Sequence, residues 1–438
     1  MPVPLGKPRE HRRLLLRRAV DPRRVASFAA VGGVLAQRNA RIFYSGSVVC
    51  WTGSWIQRIA TDWMAWELTH SALWVGIIAF CSLVPSVVIS PIAGAVADRM
   101  DRVKLTMASQ YVAMAQSVIL IALILTGTIR IEFMALLSFC NGAAETFAQP
   151  ARQCLLPGLV PRQYLPGAVA LNSLTYNVAR FIGPAISGPM IYAWGVMPSI
   201  AVNAAAFFYA SVTMTMLRIS PEIRMGSRGG GSVLHDALEG VRYVTRHPGI
   251  GPLLFFAATV GMTLRAVGEM LPPYVSVLFG HGAEGLATLA STMGCAAMAG
   301  GFLVAIRGRI GGLTRIAVGC GILLAIGTAG FVATPWFPVG VVCIAAMGAA
   351  TTMHGISCQA LMQNAAAPAM VGRVLSLWGM ITRAAPAMGA LIYGAAAEVF
   401  GLQIPVLAGV TICAAVWLRT WLRLKRLAPV LEGTGMVG

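Results

Sequence analysis

The chain has 438 residues, 57% of them hydrophobic and only 11% charged, with 33 Lys and Arg against 15 Asp and Glu and a formal net charge of +18. Soluble domains carry about 25% charged residues, so so few charges cannot cover a water-soluble body of this size, and a polytopic membrane protein is expected. Nucleic-acid binding is not implied by the basic excess, because Lys and Arg sit in short loops between apolar runs with no aromatic-basic stripe.

Residues 1–40 form a basic arm carrying Arg12-Arg13, Arg17-Arg18 and Arg23-Arg24. Such an arm lies against anionic headgroups; a secretory or twin-arginine signal is the alternative reading. Residues 41–217 hold six apolar runs, at roughly 41–67, 73–97, 104–127, 132–152, 165–193 and 197–217, each near the 20 residues a bilayer core requires. Residues 218–248 are the one long internal connection, with Gly229-Gly230-Gly231 and a stretch, 233–247, that suits a short amphipathic helix. Six more runs fill 249–422, at roughly 249–279, 285–306, 313–333, 337–364, 371–397 and 402–422, before a tail at 423–438. Unpaired backbone polar groups in lipid cost several kcal/mol each, so these runs are read as helices. Pro272-Pro273 is expected to kink the seventh, since neither residue can donate a helical hydrogen bond.

Basic residues alternate with the twelve runs. The arm, the tail and every second loop are basic, whereas the intervening loops hold only Arg130. Positive residues resist translocation, so both ends are expected in the cytoplasm and the membrane is expected to be the cytoplasmic (inner) one. No enzyme chemistry is legible. The nine cysteines are scattered without C-x-x-C spacing, the Gly6-Lys7 pair runs into Pro8 and so makes no phosphate loop, and zinc-protease and serine-hydrolase signatures are missing. Neither a cofactor, a metal nor ATP is expected.

Seven ionisable residues fall deep within the runs: Arg58, Asp62, Glu145, Arg180, Arg265, Glu269 and Arg383. Each costs about 2.5–3.5 kcal/mol at a helix centre and is expected to face a polar cavity or a partner. Arg58 and Asp62 are an i, i+4 pair, and so are Arg265 and Glu269; the spacing suits either mutually neutralising intrahelical pairs or acids that gain and lose a proton. Glu145 lies seven residues before Arg152, which places it near the cytoplasmic mouth, where structural pairing and proton carriage are the two readings. His354 is expected to be a hydrogen-bonded core residue, and Trp51, Trp55, Trp63, Trp66, Met262 and Met270 to face lipid or pack, with some able to line an apolar cavity.

Between the second and third runs stands Gly94-Ala95-Val96-Ala97-Asp98-Arg99-Met100-Asp101-Arg102-Val103-Lys104. Gly94 and Asp98 share one helix face, where Gly94 permits close approach of another helix. This stretch resembles the signature loop of the major facilitator superfamily, Gly-x-x-x-Asp-Arg-x-Gly-Arg followed by Arg or Lys. Gly94, Asp98, Arg99 and Arg102 match; Asp101 stands for the second glycine and Val103 for the second basic residue. The resemblance implies a conformational latch. Gln149-Pro150-Ala151-Arg152, Ala170-Leu171-Asn172-Ser173, Asn177-Val178-Ala179-Arg180, Arg38-Asn39, Gln57-Arg58, Glu67-Leu68-Thr69 with Ser71-Ala72, and Gly372-Arg373-Val374 are similar to the branch of the enterobactin exporter and macrolide-efflux proteins. Gly183-Pro184 with Gly188 partly matches the helix-5 motif of proton-coupled antiporters.

The resemblance, over about residues 38–422, implies an all-α membrane protein of twelve transmembrane helices in two pseudo-symmetric six-helix bundles. The implied activity is alternating-access, proton-coupled export of small amphipathic drug- or siderophore-like molecules by a monomer. In such parallel repeats helices 1 and 7, and 5 and 11, are equivalent. Their matched charges therefore place a polar cavity between the halves. Proton-coupled import and passive conduction remain the competing readings.

Overall fold

The computed structural model describes residues 32–225, 233–368 and 370–433, without the side chains of 91, 95, 98, 222 and 233–238. The basic arm through residue 31, with its signal alternative, and the triple glycine of the central loop lie outside the described residues. Lipid forbids unpaired backbone, and the described chain is helical, with one isolated bridge, Asp101 to Met225, and no strand.

The first run is one uninterrupted helix, α1 (Arg38–Thr69). The second is three consecutive pieces, α2 (Ala72–Leu83), α3 (Pro85–Val88) and α4 (Ser90–Arg99), each break falling just ahead of a proline. Then follow α5 (Arg102–Leu125), α6 (Ile131–Leu155), α7 (Leu165–Trp194) and α8 (Val196–Thr215). A short turn of helix, α9 (Pro221–Arg224), and α10 (Val233–Arg246) occupy the central connection, as the pattern at 233–247 anticipates.

The seventh run is broken. It comprises α11 (Ile250–Thr263), a 3-10 stretch (Arg265–Glu269) and α12 (Leu271–Phe279). The second half continues with α13 (Ala283–Arg307), α14 (Leu313–Ala333), α15 (Phe337–Ala365), α16 (Val371–Phe400) and α17 (Gln403–Leu422), and closes on α18 (Leu424–Glu432). Among the described residues seven helices, α5, α8 and α13 to α17, are long and apolar enough to span a membrane on length and composition alone. Of the other five spans, the second and seventh are interrupted, and the first, fourth and fifth carry charged residues of the cavity.

Chain direction gives the molecule two ends. Arg38, Arg102, Leu165 and Val371 mark the near end; Thr69, Leu125, Trp194 and Phe400 mark the far end. Within the first bundle α1 packs along α7 and α8, and α5 along α6 and α8; within the second, α13 and α14 both pack along α15, and α11 along α16. The bundles meet on two seams, α2 with α16 and α7 with α13. Glycine makes both seams tight at the far end. A Cβ on Gly188 would collide with Ala287, and one on Gly76 would stand 2.6 Å from the Ala390 carbonyl oxygen. Ser71 Oγ, which also caps α2, donates across the seam to Glu398 at 2.6 Å, and the Leu73 N–H does so at 3.3 Å.

Candidate transport cavity

Between the bundles, from mid-depth to the near end, lies a cavity of about 590 Å³. All seven ionisable residues singled out in the spans line it, together with Arg152. The cost of a charge in lipid is thereby avoided.

On α1, Trp51, Trp55, Arg58 and Asp62 recur at steps of four, three and four. One face of a 3.6-residue helix therefore carries them all into the cavity. Neighbouring Gln57 is turned into the first bundle. Its amide nitrogen donates to Gln116 Oε1 at 2.8 Å, and its carbonyl oxygen accepts from Ser117 Oγ at 2.6 Å and Asn203 Nδ2 at 2.5 Å. These buried bonds tie α1 to α5 and α8 and fix which face looks inward. Arg58 keeps its intrahelical contact, Nε to Asp62 Oδ2 at 3.8 Å.

The equivalent pair behaves differently. Pro272 and Pro273 offer no N–H to the preceding turn, and the residue before a proline avoids helical backbone. The chain breaks at Met270, α12 restarts with prolines in its first turn, and Arg265–Glu269 winds as 3-10. With three residues per turn, position i+4 is rotated about 120° from position i. Glu269 therefore pairs across the halves with Arg58 Nη2. Arg265 Nη1 instead donates to the Thr382 carbonyl at 3.4 Å. The intrahelical Arg265–Glu269 ion pair that the spacing predicts is therefore not formed.

One further cross-link and one intrahelical pair complete the wall. Arg383 Nη2 donates to Gln149 Oε1, joining α16 to α6 across the halves. Glu145 pairs with Arg152, whose guanidinium lies 5.8 Å from the Trp51 ring centroid. Arg180 lies 5.7 Å from the Trp55 centroid and Arg58 5.5 Å from it, while Tyr176 packs edge-on against both tryptophans at 5.6 and 6.3 Å. Trp51 and Trp55 are thus cavity residues, which periodicity alone did not separate from packing ones. Trp63, Trp66 and Met270 are buried and Met262 is 40% exposed. His354 is a core residue, Nδ1 2.9 Å from the Ala317 carbonyl and its ring 5.4 Å from Phe256.

A smaller pocket of about 50 Å³ shares Trp55, Arg58, Asp62, Arg180 and Glu269 with the cavity but extends toward Leu271, Leu286 and Ala290. The Arg58–Glu269 bridge stands between the two spaces. Of the helix-5 motif, Gly183 lies against Trp55, Pro184 lines the smaller pocket, and Gly188 sits in the far-end seam.

At the near end, the turn before α5 is fastened to the chain leaving the first bundle. Asp101 accepts from the N–H groups of Val103 and Lys104 at 2.9 and 3.1 Å, capping α5, and pairs with Arg224 at 2.6 Å. The aspartate that departs from the superfamily pattern is therefore a helix cap. Burial would raise its pKa, but the Arg224 bond and the two N–H groups hold the carboxyl below its ordinary value. Arg102 donates to the Ile223 carbonyl at 2.9 Å, and Arg99 is exposed. The Asp98 side chain lies outside the described residues. Among the described residues no atom comes within 4 Å of a Cβ placed on Gly94, so the close approach expected at this position is not made there while the near end stands open. Other motif residues have local tasks: Asn39 exchanges two hydrogen bonds with Arg218 at 2.7 and 3.1 Å, and Arg373 pairs with Glu239 of α10 at 3.0 Å.

Two six-helix bundles around a charged central cavity define a major facilitator transporter. The model of one of its families, transmembrane secretion effector, matches residues 31–431, and the chain belongs to that family. Macrolide efflux protein A of Streptococcus pyogenes is 23% identical over 82% of this chain and 89% of its own. The multidrug efflux pump Tap of Mycolicibacterium fortuitum is 24% identical over 81% and 88%. The staphyloferrin A transporter of Staphylococcus aureus is 31% identical, but over 39% of this chain and 43% of that protein. In fold, the nucleoside transporter NupG superposes with a TM-score of 0.67 at 14% identity, covering 88% of this chain and 98% of that one. The chain is a multi-pass membrane transporter, and its relatives are transporters rather than enzymes.

Proposed function

We propose that the chain is a proton-coupled exporter of small amphipathic molecules, drug- or siderophore-like, working as a monomer in the cytoplasmic membrane with both termini inside. The observation that carries this reading is the Arg58–Glu269 bridge across the halves at the floor of the cavity. With the near end cytoplasmic, the described state is open inward. The bridge and the two far-end seams then hold the outward path closed.

A proton on Glu269 or Asp62 removes the negative charge that Arg58 holds. A substrate lodged beside the bridge parts Arg58 from Glu269 and releases it as well. An empty, deprotonated transporter stays locked, whereas proton-loaded and substrate-loaded forms switch, and exchange of one for the other follows. Glu145, Arg180, Arg265 and Arg383 shape the chamber. Gly94, Asp98, Arg99 and Arg102 form the near-end latch of the opposite state, in which Gly94 gains its packing partner. Export as the direction is supported by the efflux relatives; without them the residues fit import equally well.

The test is transport of a compound panel in proteoliposomes under an imposed pH gradient. Wild type is expected to accumulate substrate against its gradient, with a protonophore abolishing it. The Asp62→Asn, Glu269→Gln double variant is expected to lose pH-driven accumulation. Undiminished pH-driven transport in that variant contradicts the mechanism, and substrate movement that never exceeds equilibration identifies a passive facilitator.

A further inference from the structure

Charge bookkeeping of the cavity has an unbalanced remainder. Its wall carries five arginines (58, 152, 180, 265 and 383) against three carboxylates, Asp62, Glu145 and Glu269, an excess of two positive charges when all are ionised. Asp62 and Glu269 are taken by Arg58, and Glu145 by Arg152. The other three guanidinium groups have no carboxylate within ion-pair distance among the described residues. Among those residues Arg265 has only the Thr382 carbonyl at 3.4 Å, Arg383 only the Gln149 amide oxygen, and Arg180 the face of Trp55.

A guanidinium withdrawn from water loses solvation that a carbonyl or a ring face returns only in part. Its best partner is a planar carboxylate held by two parallel N–H bonds. Arg180 comes from the first bundle, Arg265 and Arg383 from the second, so a ligand with two acid groups can touch both halves at once. Beside Arg180 the wall is aromatic, with Trp51, Trp55 and Tyr176 packed edge to face. That surface suits an apolar or aromatic body.

We infer that the transported molecule is an amphipathic organic anion with at least two carboxylate groups, held by Arg180 on one bundle and by Arg265 and Arg383 on the other, its apolar body against Trp55 and Tyr176. The inference rests on the transporter reading above for the word "transported", but the site itself is an equilibrium anion site and stands or falls without any proton gradient. A cationic amphiphile would meet the positive excess and be rejected by it.

Fluorescence anisotropy of the full chain in phosphatidylcholine nanodiscs, at constant pH and low salt, separates the two claims. The probes are carboxyfluorescein and rhodamine 6G, ring systems of similar size and opposite charge. Carboxyfluorescein is expected to bind at least tenfold more tightly. Arg180→Gln and Arg265→Gln are each expected to weaken it tenfold or more, and Arg265→Glu to reverse the preference toward rhodamine 6G, a gain that a misfolded protein cannot show. Tighter binding of the cation, or unchanged carboxyfluorescein binding in all three variants, overturns the inference while leaving proton-coupled transport intact. Replacing a third of the lipid with phosphatidylglycerol is expected to leave dye binding unchanged. Displacement of the dye there assigns the arginines to lipid headgroups and overturns it as well.

Discussion

Arg58–Asp62 and Arg265–Glu269 have the same spacing in equivalent helices, yet they meet different fates. In α1, anchored by the Gln57 network, the four-residue spacing survives as an intrahelical contact. In the seventh span two prolines unwind the helix and hand Glu269 to the opposite bundle. Residue type and interval are thus not enough to assign an ion pair. Helix continuity decides which face a charge presents, and here it turns one of two look-alike pairs into the tie between halves.

The largest expected effect attacks that tie. Glu269→Gln is predicted to lower pH-driven transport in proteoliposomes by about 100-fold, on the order of 2.7 kcal/mol, whereas Asp62→Asn lowers it about 10-fold, 1.4 kcal/mol. Equal losses would erase the distinction between the pairs. Replacing both Pro272 and Pro273 by alanine restores two helical donors, lets Arg265 and Glu269 share a face, and is predicted to reduce the transport rate roughly 10-fold. A rate unchanged from wild type would mean that the 3-10 break is incidental.

How far the sequence reached follows the same line. Spans and two-bundle architecture were legible because hydropathy and the alternation of basic loops depend on each segment's own residues. The cavity's ionisable residues were legible because a charge in lipid has few tolerable explanations. Pairing was not, since Arg58 finds Glu269 and Arg383 finds Gln149 across a seam separated by more than 200 positions. Trp51 and Trp55 were within reach: they stand on the Arg58–Asp62 stripe, and Tyr176 stands four residues before Arg180. Gly94, read as a close-approach site, marks a contact absent from the state described.

Smaller effects sharpen the contrast on the α1 side. Gln57→Ala strands Gln116, Ser117 and Asn203 partners in a buried site and is predicted to cost about 1–3 kcal/mol, read as a lower melting temperature. Asp101→Ala removes the α5 cap, about 1 kcal/mol. The pH dependence follows from the direction of the shift. Because the folded carboxyl titrates below its unfolded value, its contribution is complete above about pH 4 and fades as pH falls through the depressed value. Wild type should therefore lose more stability on acidification than the alanine variant. The same loss in both would detach Asp101 from the acid response.

The most direct measurement of the central claim is the distance between spin labels at Leu68 and Phe400, exposed far-end positions on opposite bundles, in a chain whose nine cysteines have been replaced. With the acids ionised and no substrate, one short distance is predicted. Lowering the pH, or substituting Glu269→Gln at neutral pH, is predicted to add a longer one as the far end opens. A distribution that ignores both changes would contradict the idea that the Arg58–Glu269 tie keeps the outward path shut.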